Sequence, residues 1–259
     1  MIVFVGAGPG APDLITLRGA ELLARADQVI YAGSLVNAEL LRHCKAGCEI
    51  FNSAKMTLEE VLAAMQSCEA KGGLCVRLHT GDPSLYGAIR EQMSALDELG
   101  IAYEICPGVS SFSAAAAALH AEYTPPAVSQ SLIITRLAGR TAVPEQESIP
   151  SFAAHGASMV IFLSAGQLPE LQRQLLEGGY APETPTAIVY KASWPEEKVF
   201  RCPLSQLAAT GAREGIDHFA LICVGGFLGA EAERSKLYDP DFSTAFRQAG
   251  SEKKGKGNL

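Results

Sequence analysis

The chain has 259 residues, 48% of them apolar and 19% charged, with a formal net charge of −7 at pH 7. That length gives one or two domains with a true core, and the composition excludes disorder in bulk. The acidic balance also argues against a duplex nucleic-acid partner, which a basic surface would serve. The last residues, 251–259, carry a local +2 and read as a frayed, solvated tail. Seven cysteines occur with no C-x-x-C pair. They predict free, mostly buried thiols in a reducing compartment. His43, Cys44 and Cys48 fit no zinc spacing, so no metal is expected. The opening MIVFVGAGPG lacks a basic n-region and a long apolar core, so no signal peptide is expected. The longest apolar runs, Met159–Leu163 and Phe219–Val224, fall far short of the roughly 20 residues that cross a bilayer. The expectation is a cytoplasmic protein with no membrane segment.

In chain order, Ile2–Val5 predicts a short buried strand that ends in glycines. Leu14–Ala26 has helical spacing. Gln28–Tyr31 predicts a strand and Leu35–Leu41 a short helix. Thr57 with Glu60 forms a capping box, so a helix starts there and stops at Gly72-Gly73. Leu74–Leu78 predicts a strand, and a helix follows from Pro83 or Ser84 to Gly100. Ala102–Cys106 is a strand and Ser110–Leu119 an alanine-rich helix. The alternation signals an α/β layer with a mainly parallel sheet. At Thr124-Pro125-Pro126 the pattern breaks, because consecutive prolines force extended backbone. Strands are then expected at Leu132–Thr135, Met159–Leu163, Thr186–Tyr190, Lys198–Cys202 and Phe219–Val224. Helices are expected at Leu168–Glu177 and Leu204–Ala212, with a polar loop over 139–150. The organisation is therefore two αβα domains: 1–119, a linker at 120–126, and 127–240 with a mixed sheet, followed by a tail at 241–259.

Three Gly/Pro-rich loops follow strands. Gly6-Ala7-Gly8-Pro9-Gly10-Ala11 formally matches the dinucleotide fingerprint. However, Pro9 removes a backbone N–H from the phosphate cradle. The second strand ends Tyr31-Ala32-Gly33-Ser34 without the acid that would hold a ribose. A nicotinamide oxidoreductase is thereby disfavoured. Thr80-Gly81-Asp82-Pro83-Ser84-Leu85-Tyr86-Gly87 and Pro107-Gly108-Val109-Ser110-Ser111 are the other two. Taken singly, each could be a helix cap built on Asp82, Ser84 or Ser110. Together they lie where open α/β sheets bind ligands, with little side-chain bulk to keep a flat ligand away from the backbone.

The segments VGAGPGAPDLITLRG (5–19), RLHTGDPSLYGAIREQ (77–92), PGVSSFSAAAA (107–117), MVIFLSA (159–165) and PTAIVYKASWPEEKV (185–199) resemble the tetrapyrrole methylases over about residues 1–230. Those enzymes use S-adenosylmethionine to methylate ring carbons of corrin and sirohaem precursors. The LHTGDPSLYGAI, TRLAGRT and YKASWPEEK strings are similar to the branch that methylates C-11 of a precorrin-4 ring, with or without cobalt. Another methylase of the superfamily, such as one acting on uroporphyrinogen, is the alternative. The resemblance implies a cofactor cleft between the domains, a small tetrapyrrole substrate and a homodimer. By matching position it implies cofactor contacts at Pro9, Thr80, Gly81, Asp82, Leu85, Tyr86, Ser110 and Ser111. From the second domain it adds Leu163, Tyr190, Ala192, Ala220 and Leu221. Some relatives place Arg and Glu after the GDP loop; here those positions read Ala88 and Glu91, so the arginine is missing.

Methyl transfer from a sulfonium needs alignment and exclusion of water more than it needs a metal or a triad. Neither G-x-S-x-G nor H-E-x-x-H occurs. His79 and Glu91, both near the GDP loop, are the candidates to take a ring proton. A precorrin carries many carboxylates, so an acidic protein must gather cations locally. Arg136, Arg140 and Lys191 are the expected substrate contacts, since Arg matches carboxylate geometry. Lys55 and Arg90 lie near other loops.

Overall fold

The computed structural model describes residues 1–33, 35–229, 233 and 235–249. The basic stretch 251–259 lies outside them. Two five-stranded sheets form the molecule. In the first, β1 (Ile2–Gly6), β2 (Gln28–Tyr31), β3 (Glu49–Asn52), β4 (Cys75–His79) and β5 (Tyr103–Cys106) run in the order β3-β2-β4-β1-β5. Every pairing in it is parallel. Parallel sheets are covered on both faces, which is why all five residues of β1 are buried. Val3, Val5, Val76 and Leu78 pack on the side of α1 (Leu17–Arg25). Ile2, Phe4 and Cys75 pack the opposite way, with Met65 of α2 (Leu58–Ala70) and Leu96 of α3 (Arg90–Glu98).

The second sheet is mixed, as the sequence implies. Its strands are β6 (Leu132–Arg136), β7 (Ser158–Phe162), β8 (Pro185–Tyr190), β9 (Lys198–Pro203) and β10 (Ala220–Val224), in the order β6-β7-β10-β8-β9. Only β6 and β7 pair in parallel; β10 is antiparallel to both β7 and β8. One face packs on α5 (Ile149–Ala153), α6 (Leu168–Glu177) and α7 (Leu207–Glu214). The other face receives α4 (Ser111–Leu119), although α4 directly follows a strand of the first sheet. Its Ala114, Ala115 and Leu119 sit against Val160, Ala187, Val189 and Leu221. The alanines let the helix approach closely. A larger residue at fully buried Ala115 would cost about 1–3 kcal/mol in overpacking.

Local chemistry sets the boundaries. The capping box is present: the Glu60 carboxylate accepts from Thr57 N–H at 2.8 Å, and Thr57 Oγ1 accepts from Glu60 N–H at 3.3 Å. The first helix begins at Leu17 rather than Leu14, because Pro12–Leu14 is a 3-10 turn and Thr16 caps the helix from Gly19 N–H. The helix expected over 35–41 is a 3-10 turn at Ala38–His43, capped by Asn37. The helix expected from Pro83 or Ser84 starts only at Arg90, because Tyr86 (φ 55°) and Ala88 (φ 49°) are left-handed. A right-handed helix cannot pass through such residues. The loop expected over 139–150 holds a 3-10 turn at Glu145–Glu147, and α5 begins at its end. β3 has no counterpart in the sequence reading, since this edge strand is largely exposed. No helix among the described residues is long and apolar enough to cross a membrane.

Candidate active site

The three glycine-rich loops meet at the carboxyl edge of the first sheet, backbone against backbone. Gly8 and Gly81 form an antiparallel bridge, with Gly81 N–H donating to Gly8 O at 2.8 Å and Gly8 N–H to Gly81 O at 3.2 Å. Ala7 N–H donates to His79 O at 2.7 Å. A Cβ on Gly6 would stand 2.5 Å from Gly108 Cα and 2.6 Å from Gly81 O. Only glycine permits this approach. Asp82 ties the second loop to the third. Its Oδ2 accepts from Gly108 N–H at 2.8 Å, and its Oδ1 accepts from Ser84 N–H at 2.9 Å and from the Ser84 hydroxyl. Burial alone would raise the Asp82 carboxyl, but these donors outweigh it and hold the pKa below the usual value. Asp82 therefore organises the loops through its anionic form.

Beside this junction lies a cavity of about 430 Å³ between Asp82, Ser84 and Leu85 on one side and Gly108, Ser110 and Phe112 on the other. That volume falls in the range of small-molecule sites, roughly 300–1,000 Å³. Thr80 Oγ1 is buried and has no hydrogen-bond partner. A buried hydroxyl without a partner costs free energy unless a ligand completes it. Backbone edges, an unpaired hydroxyl and a cavity of ligand size fit a flat, polar cofactor. Ser110 stands at the N-cap position of α4, and Ser111 opens the helix.

The second sheet presents its own strained edge to these loops. Leu163 after β7, Lys191 and Ser193 after β8, and Phe219 before β10 all have positive φ. Each such residue costs on the order of 1 kcal/mol, and the antiparallel run of β10 brings all four to one edge. Lys191 N–H donates to Phe219 O at 2.9 Å, which fixes two of them together. Leu163 is 65% exposed and Tyr86 45%, so apolar surface is turned outward there. Tyr190 is half-buried, whereas Ala192, Ala220 and Leu221 are buried. The two edges touch at three points. The Tyr86 and Phe162 rings lie 5.3 Å apart. The Trp194 indole N–H donates to Pro9 O at 3.1 Å, and Ala11 N–H donates to Ser193 Oγ at 3.0 Å.

The sequence reading missed Trp194, Ser193 and Phe162. A lone tryptophan placed in a turn just after a strand was the available signal. Of the two base candidates, His79 points away from open space. It is 3% exposed, its ring lies 6.0 Å from Phe4, and Nε2 has no partner. Burial first, and then the nearby Arg77 charge, push its pKa down to about 3. Glu91 stands exposed in the first turn of α3. Among the expected cations, Arg136 spends its guanidinium on the carbonyls of Leu137, Thr141 and Ala142. Lys191 lies over the Tyr190 and Trp194 rings and 3.7 Å from Glu196. Arg140 is exposed.

Three glycine-rich loops beside a cavity of ligand size at the carboxyl edge of a parallel sheet, touched by the end of a second, mixed sheet, define the class. Residues 1–208 match the family of tetrapyrrole (corrin/porphyrin) methylases, and the chain belongs to it. It is 49% identical to a cobalt-precorrin-4 C(11)-methyltransferase of Methanocaldococcus jannaschii, across 96% of each chain. The X-ray structure of a cobalt precorrin-4 methyltransferase, a cobalamin biosynthetic enzyme, superposes with a TM-score of 0.86 at 43% identity. That match covers 88% of this chain and 96% of the other. A uroporphyrin-III C-methyl transferase of Thermus thermophilus complexed with S-adenosyl homocysteine has a TM-score of 0.75 at 26% identity, covering 88% and 98%.

Proposed function

We propose that this enzyme transfers a methyl group from S-adenosylmethionine to C-11 of precorrin-4, with or without cobalt, in the building of the corrin ring. The observation that carries it is the junction of three glycine-rich loops beside a cavity of about 430 Å³, touched by the strained end of the second sheet. Likeness at 49% identity to a C-11 methyltransferase supports the position of attack, and the S-adenosyl homocysteine complex of a more distant relative supports the donor. S-adenosylmethionine supplies an electrophilic methyl already activated by its sulfonium charge.

The chain's own residues do the rest. Pro9, Thr80, Gly81, Asp82, Leu85, Tyr86, Ser110 and Ser111 hold the cofactor from the first domain (1–119). Leu163, Tyr190, Ala192, Ala220 and Leu221 complete the site from the second (127–240). Exposed Tyr86, Leu163 and Phe219 become the water-excluding wall once the macrocycle covers them. Holding two reactants in line with water excluded contributes about 7–11 kcal/mol to such reactions. His79, held neutral by burial, is a weak proton acceptor; Glu91 is the exposed carboxylate available for a ring proton. We also place the enzyme in the cytoplasm, where its seven free cysteines suit a reducing medium, and as a homodimer, which sedimentation equilibrium tests. Thermal unfolding tests the cofactor. S-adenosylhomocysteine at a hundredfold excess over Kd should stabilise the fold by about 2.7 kcal/mol, and NAD should not. A shift with NAD alone would overturn the assignment.

A further inference from the structure

We infer that Arg136 positions the loop that carries Arg140, and that Arg140 is the side chain that meets a carboxylate of the substrate. The inference rests on the tetrapyrrole reading above. Arg136 is the last residue of β6. One of its terminal nitrogens, Nη1, donates to Leu137 O at 3.3 Å and Thr141 O at 3.2 Å, and Nη2 donates to Ala142 O at 2.8 Å. These bonds close residues 137–142 into a ring, which Gly139 N–H tightens by donating to Thr141 O at 3.3 Å. Three of the five N–H donors of this guanidinium are thus committed to carbonyls of its own loop, which makes Arg136 a brace of that loop.

The ring is tied down on its other side as well. Leu137 is buried in the core of the second domain, and its N–H donates to Ser164 Oγ at 2.9 Å. Ser164 is fully buried and donates on to Phe162 O at 2.7 Å. The loop is thereby fixed to the end of β7, beside Leu163 and the ring of Tyr86. The charge of Arg136 is felt at the Tyr86 phenol, where it opposes the upward push of burial. Arg140 stands at the tip of this fixed ring, exposed, with no hydrogen bond or ion pair to any described residue. A free guanidinium on a loop braced by hydrogen bonds and tied to the end of β7 suits a polycarboxylate macrocycle, since the loop backbone need not be ordered on binding.

Four variants test the division of labour: R140A, R136A, R136K and the double R136A/R140A. R140A should raise the tetrapyrrole KM about tenfold, the loss of one charge-assisted bond, and leave the Kd for S-adenosylhomocysteine within about twofold. R136K keeps the charge, but a point ammonium cannot span three carbonyls. It should raise KM nearly as much as R136A does and make the chain far more sensitive to trypsin after Arg140, read by intact mass. The double variant should be no worse than R136A, because the two residues act in series. Wild-type KM and trypsin resistance in R136K would overturn the positioning role, and so would multiplying effects in the double variant. An unchanged KM in R140A would overturn the contact. If the wild-type enzyme turned over no tetrapyrrole, the functional reading would fail instead, and the trypsin comparison would still judge the role of Arg136.

Discussion

Lowering the pH from 7.5 to 5 sets the buried ring of His79 against the rest of the fold. In the unfolded chain this imidazole takes up a proton at its ordinary pKa of 6.5, whereas in the native state burial and Arg77 hold it to about 3. Arg77 remains charged beside it. Burial lowers its pKa only to about 10, while Gln92 Oε1 and Ile30 O accept from it at 3.1 Å each. Across the window from 6.5 down to 3 the unfolded state binds the extra proton, so stability falls as the pH falls. At pH 5 the loss amounts to about 2 kcal/mol, from roughly 1.4 kcal/mol per unit below 6.5. Urea unfolding followed by circular dichroism at several pH values from 7.5 to 5 measures it. The slope of wild type minus the slope of H79Q isolates the one group, since other titrations cancel. The same depressed pKa predicts that H79Q leaves the pH dependence of kcat/KM between 6 and 8 unmoved. Equal stability slopes for the two proteins, or an inflection near 6.5 that vanishes with H79Q, would refute the reasoning.

G108A places a Cβ against Gly81 O and 2.7 Å from Gly6 Cα. Backbone closes in from both sides, so the variant should lose about 3 kcal/mol or more, and chemical denaturation showing wild-type stability would contradict the packing. T80V removes a hydroxyl that pairs with nothing in the protein. Its stability should stay within about 1 kcal/mol of wild type while calorimetry shows S-adenosylhomocysteine bound about fivefold more weakly; unchanged affinity would remove Thr80 from the site. Trp194 is the sole tryptophan and bridges the two edges through Pro9. Its emission should change saturably with S-adenosylhomocysteine, and a silent titration with proven binding would contradict a cleft closed at this contact.

The three glycine loops were legible because their function is written in backbone, and backbone demands show as Gly and Pro. The capping box at Thr57 and the mixed second sheet were legible for similar local reasons. The early stop of the helix after Pro83 was not. It depends on left-handed Tyr86 and Ala88, a conformation that neither residue type advertises; the Tyr86 ring rests on Phe162 of the second sheet, and Ala88 O accepts from Gln92 Nε2. Nor could the sequence say that α4 crosses to the second sheet, because a small-residue helix fits any close surface. Arg136 and Arg140 look equivalent as two arginines flanking Leu137-Ala138-Gly139. Only the folded loop shows one turned inward to carbonyls and the other left outward. β3 was missed because three of its four residues are exposed and Glu49-Ile50-Phe51-Asn52 has no apolar/polar alternation to mark a strand.

The central claim is methylation at C-11, and isotope transfer tests it directly. The enzyme is incubated with precorrin-4 or its cobalt form and S-adenosylmethionine labelled with carbon-13 in the methyl. The product is then read by mass spectrometry and carbon NMR. The expected result is one labelled methyl per macrocycle, bonded to C-11, with S-adenosylhomocysteine formed in equal amount. A labelled methyl at another ring carbon, or label transferred to uroporphyrinogen III and to neither precorrin, would contradict it.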